Sequence, residues 1–119
     1  MRTVTSASAT VAAGGTLGVV LPPARPLPAA ALRDALGLAR VLYAAELAAG
    51  AAPERLEAIA DAGRKLRLAL EHLACEPDTL GRRAAPANAA TGMARLSSVS
   101  WSPEVAKLVE VARAKLEPR

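Results

Sequence analysis

The sequence predicts an all-α fold: an antiparallel helical hairpin, then a C-terminal helix, with an extended arm at the N-terminus. Three observations predict it. Leu56, Ile59, Gly63, Leu66, Leu70 and Leu73 recur at alternating steps of three and four, the a/d seam of a helix packed lengthwise on a partner. Apolar residues make up 52% of the chain but aromatics only 2%, so the apolar material is mostly Ala, Leu and Val, and the first two are strong helix formers. Finally, Pro28, Pro53-Glu54 and Ser102-Pro103-Glu104 each have the composition of a helix start, because a first turn has N–H groups to spare and a positive dipole end.

A chain of 119 residues is one small domain with tails. Alanine removes little area from water, so a core made from it gains mainly by close helix approach and calls for a partner chain. Residues 1–27 are rich in Ser, Thr, Gly and Val and run into Pro22, Pro23 and Pro26. They lack large apolar side chains to offset the entropy of ordering, so the expected state is an extended arm that orders against a partner. Short strands around Gly14-Gly15, forming a β-hairpin, are the alternative reading.

The hairpin is expected over residues 28–75. From Ala29 to Ala49 only Arg33, Asp34, Arg40 and Glu46 are charged, and a helix apolar over so much of its girth is expected to be buried on more than one side. Glu46 falls in the apolar sector. It is expected to be wet where the helix frays, the alternative being an ion pair with an arginine of a partner or of the linker. Gly50 ends this helix and Pro53 starts the next, so the short loop makes the two antiparallel. In the second helix Ala60, Ala62, Ala69 and Ala74 flank the seam and Gly63 lies in it, an arrangement that lets two backbones come close. Asp61 and Lys65 stand four apart and are expected to pair weakly. Leu68 falls on the wet face.

Glu76-Pro77 is expected to break the second helix. Residues 76–100 contain Pro77, Gly81, Pro86, Asn88 and Gly92 and read as a linker. The last helix belongs to residues 101–119, with Ser102 as N-cap and Trp101 closing over Ala106 as a hydrophobic staple. Val105, Leu108, Val109, Ala112 and Leu116 mark its apolar face.

Nothing in the chain assembles a reaction centre. His72 and Cys75 share a helix face and amount to half a zinc site, but they are the only His and the only Cys. A Cys–His nucleophile also needs an orienting group and an oxyanion site, and no neighbour supplies either. Gly14, Gly15 and Gly18 lack the Lys-Ser/Thr that a phosphate loop requires. The expectation is therefore no enzyme, no metal, no cofactor and no small-molecule substrate. A lone Cys75 allows no intrachain disulfide. No apolar run approaches the ~20 residues that span a bilayer, and the first 21 residues are too broken by Ser, Thr and Gly for a secretory h-region. Cytoplasm is the expected location.

The formal net charge is +4, compatible with a polyanion without requiring one. The candidate phosphate contacts are Arg64, Lys65 and Arg67 on the second helix and Arg82, Arg83 and Arg95 in the linker. The scarcity of aromatics argues against stacking on single-stranded bases. The run Gly18-Val19-Val20-Leu21-Pro22, followed by Leu32-Arg33-Asp34-Ala35-Leu36-Gly37-Leu38, resembles in part the swapped-hairpin AbrB-type DNA-binding proteins. It departs from them in its proline-rich spacer and in a helix that continues past Leu38, and the chain is not assigned to that family. The expected function is a non-enzymatic structural, assembly or adaptor protein that oligomerises or docks through the small-residue seam of its helical hairpin, with extended arms reaching its neighbours, such as a small phage or virion component or a scaffold protein. A small basic DNA-binding transcriptional regulator is the alternative.

Overall fold

The computed structural model describes residues 27–117. The arm predicted for residues 1–27, and the hairpin weighed against it, lie outside that range apart from Leu27, which packs on the core. Four helices follow in order: α1 Ala29–Ala48, α2 Pro53–Leu73, α3 Leu80–Ser97 and α4 Pro103–Leu116. No strand occurs among the described residues. Each helix packs on the next and α4 also packs on α1, so the four close into an antiparallel bundle with short connections.

α1 ends in a Schellman motif. The Ala51 N–H donates to the Glu46 carbonyl at 2.9 Å and the Gly50 N–H to the Leu47 carbonyl at 3.1 Å. Gly50 takes the left-handed conformation this requires, with φ 76°. The chain then turns straight into α2, which starts at Pro53 with Glu54 in its first turn.

The predicted linker is a helix. Residues 80–97 form α3 despite the proline at position 86, which leaves the Arg82 carbonyl without its helical donor. Two things outweigh that cost. Thr79 caps the N-terminus, its Oγ accepting from the Arg82 N–H at 3.2 Å. Then Ala85, Ala89, Gly92, Met93 and Leu96 form one buried stripe, and α2 packs more extensively on α3 than on α1. A Cβ on Gly92 would lie 3.0 Å from Leu66 Cγ and 3.1 Å from the Ala62 carbonyl oxygen, so any larger residue would need α2 to give by a few tenths of an ångström. The close approach that the sequence suggests at Gly63 is thus made at Gly92, and a Cβ on Gly63 would meet nothing within 4 Å.

The seam of α2 is used inside the chain. Ile59 and Leu66 are buried in the core, Leu70 and Leu73 pack on it half-buried, and Leu56 and Gly63 are half-buried. Ala62 and Ala69 are fully buried beside it, whereas Ala74 is exposed. Seven of the sixteen buried apolar residues are alanine and none is aromatic, so close helix approach fills this core together with its aliphatic side chains.

One end of the bundle is held by a polar chain. Glu46 is not left wet by fraying but is half-buried, and the arginine it binds is Arg55 in the first turn of α2, not one of residues 76–100. The Arg55 guanidinium lies 4.8 Å from the centroid of the Trp101 ring, a cation–π contact. Trp101 Nε1–H in turn donates to the Leu96 carbonyl at 2.8 Å. Trp101 therefore seals the α3–α4 corner and does not fold over Ala106, which is exposed. Asp61 also departs from expectation. It contacts Arg64 at 3.4 Å and Arg95 of α3 at 3.4 Å, not Lys65.

Two outcomes test this packing. Leu66→Ala is expected to cost about 2–5 kcal/mol in urea unfolding, since the side chain is fully buried against Gly92; a loss within ~0.5 kcal/mol would place it on a surface. Pro86→Ala is expected to stabilise the chain by about 1–2 kcal/mol, because the side chain is exposed and the restored N–H can meet the Arg82 carbonyl. Destabilisation by that change would mean that α3 depends on the proline.

Candidate interaction surface

α1 and α2 do not close over each other along their whole length. Leu36, Ala39 and Tyr43 of α1 and Ile59, Ala60 and Gly63 of α2 line an open groove of about 280 Å³. Leu36, Ala39 and Ile59 are core residues at its floor, and the missing side chain at Gly63 leaves it open. Residues 36–43 of α1 span about 10 Å at 1.5 Å per residue, two helical turns.

Three arginines stand at the rim: Arg40 from α1, Arg64 and Arg67 from α2. They are not equally engaged. Arg64 donates to Glu57 at 2.6 Å and touches Asp61, and these carboxylates raise its pKa above the ordinary guanidinium value. Arg67 has only a loose contact with Glu71 at 3.7 Å. Arg40 is exposed and has no ion pair among the described residues.

Of the other candidate polyanion contacts, one lies beside this group, since Arg95 shares Asp61 with Arg64. Arg82 donates to the Cys75 carbonyl at 3.2 Å at the α2–α3 turn. Lys65 and Arg83 have no ion pair among the described residues. The charge balance is instructive. The described residues carry 12 Lys and Arg against 11 Asp and Glu, because Arg2, Arg25 and Arg119 of the chain's 15 basic residues fall outside them. The bundle itself is close to neutral.

His72 has a structural contact. The Asn88 side-chain amide donates to its Nδ1 at 3.1 Å across the α2–α3 interface, which places the ring proton on Nε2 in this orientation. Cys75 Sγ sits 3.1 Å from where a Cβ on Gly81 would be and its hydrogen-bond contact is with the Glu71 carbonyl. No three His, Cys, Asp or Glu residues come together as a metal site among the described residues, and none of these residues is a buried charged group. No helix among them is long and apolar enough to cross a membrane.

Large apolar side chains are instead left in water on all four helices, Leu80 of α3 the most at 82%. Val41 is 66% and Leu47 56% exposed on α1, and Leu108 is 55% and Val111 48% exposed on α4. The sequence put Leu108 on the buried face of α4; the face turns a little further, to Val109 and Leu116. Likewise α1 is covered on one side only, by α2 and α4. The arginine-rimmed groove was missed because its parts lie on two helices. The available signal was Gly63 opposite a helix carrying Arg40 and Tyr43.

No protein-family model, curated protein or solved structure matches the chain.

Proposed function

We propose that this chain is a non-enzymatic structural, assembly or adaptor protein that oligomerises or docks on another protein through its helical bundle. The observation that carries the reading is the set of large apolar side chains left in water, among them Val41 and Leu47 of α1, Leu80 of α3, and Leu108 and Val111 of α4. Single exposed leucines are ordinary, but this many on a small bundle favour a protein contact. A second copy of the chain is the occupant to test first. The core is alanine-rich and small, and association would add apolar burial that the isolated bundle lacks. A DNA-binding role has weaker support, because Arg64 and Arg95 are turned towards carboxylates of the same chain.

Light scattering on the full chain across a concentration series is the direct test. The expected result is a mass above the monomer that falls on dilution and on Val41→Glu, with helix content unchanged. A monomer at every concentration would remove self-association. Retention on DNA that declines steeply with salt, as it does for a protein neutralising several phosphates, would favour the regulator instead.

A further inference from the structure

We propose that the groove between α1 and α2 is a docking site for an acidic amphipathic helix of a partner protein. The argument begins with shape. The floor is apolar, from Leu36, Ala39 and Ile59, and Gly63 leaves room for an incoming side chain, since a Cβ there would meet nothing within 4 Å. A length of about two turns suits the i, i+3, i+4, i+7 anchors of a helix laid in a groove.

Charge then selects the occupant. Arg40 has no carboxylate partner among the described residues, and Arg67 has only the 3.7 Å contact with Glu71. Carboxylates flanking an apolar stripe would meet both guanidiniums, with Arg64 between them in the chain already holding Glu57. The chain's own N-terminal segment has the wrong sign, since residues 1–26 contain Arg2 and Arg25 and no Asp or Glu. A second copy offering its exposed Leu108 and Val111 would bring a mixed face, with Glu104 but also Lys107 and Lys115, towards the same arginines. Nucleic acid has charge without the apolar anchors that the floor rewards. The acidic helix satisfies both the floor and the rim.

This inference rests on the docking reading above but uses a different surface, so the two can fail separately. The test uses the full chain and two labelled helical peptides. One is built from Leu, Ala and Glu with leucine at i, i+3, i+4 and i+7; the other replaces each Glu by Lys. Fluorescence anisotropy is expected to show saturable binding of the Glu peptide and at least about tenfold weaker binding of the Lys peptide, the scale on which reversed charge pairs act. Arg40→Glu is expected to weaken the Glu peptide and not the Lys peptide. Gly63→Leu, which fills open space, is expected to abolish binding while the thermal midpoint is kept. Equal binding of both peptides, no binding of either, or binding indifferent to Gly63→Leu would overturn the proposal. So would a dimer that Gly63→Leu converts to monomer, since the groove would then belong to a second copy. A chain that is monomeric throughout yet binds the Glu peptide in a Gly63-dependent way would keep the groove and discard self-association.

Discussion

The close crossing of α2 and α3 is the constraint on which the rest of this structure depends. Ala62, Leu66 and Gly92 bring the two backbones so close that a side chain at position 92 would fit only if its neighbours gave way. Buried alanine contributes little transfer free energy, about 25 cal/mol per Å² over a small area. What it allows is dense contact between main chains, where dispersion is collected from many atoms at once. That contact compensates α3 for an interior proline and a weak apolar pattern. With α3 in place, α4 finds both α1 and α3 to pack on, and the hairpin becomes half of a bundle.

The loop end of the bundle depends on a second, polar arrangement. Glu46, Arg55, Trp101 and the Leu96 carbonyl come from the end of α1, the start of α2, the α3–α4 corner and the end of α3. The Schellman turn at Gly50 directs the chain so that Arg55 can reach back to Glu46. All three side chains are half-buried, where an ion pair is less screened than on the surface but not fully desolvated. By contrast, the Arg113 fork over Glu110 and Glu117 on α4 is exposed. It holds Glu110 below the ordinary carboxylate range by its hydrogen bond, yet an exposed pair of this kind contributes little to stability.

α1, α2 and α4 were legible in the sequence because each announces itself chemically. Leu56 to Leu73 carries large residues at helical spacing, and Ser102-Pro103-Glu104 is a start signal with few other meanings. α3 was not legible, for a physical reason. Its buried stripe is mainly alanine and glycine, residues that raise almost no hydrophobic signal, while Pro86 and Gly92 are breakers in any local scale. Its helicity comes from α2, so tertiary packing overrides propensity there. Thr79 was a readable cap, overlooked beside Pro77. Glu46 was misjudged for a related reason. A helical wheel shows an acid in an apolar sector but not the arginine that the next helix brings to it.

The site-level outcome turns on the same small residues. Glycine does opposite things at positions 63 and 92: one admits a neighbouring helix, the other leaves a gap between helices. Sequence alone cannot distinguish them, since both sit at helical spacing among alanines. The difference comes from what lies across. α3 presents its small face to Ala62 and Leu66 and closes on them. α1 presents Leu36, Tyr43 and Arg40 around the groove that Gly63 lines, and none of them comes within 4 Å of where a Cβ on Gly63 would lie. The groove is therefore a by-product of asymmetric packing around α2, tight on the α3 side and loose on the α1 side. The basic character of the chain lies largely in Arg2, Arg25 and Arg119, beyond the described residues. What distinguishes the near-neutral bundle is local: an apolar hollow between two helices with Arg40 and Arg67 at its edge and few carboxylates of its own to occupy them.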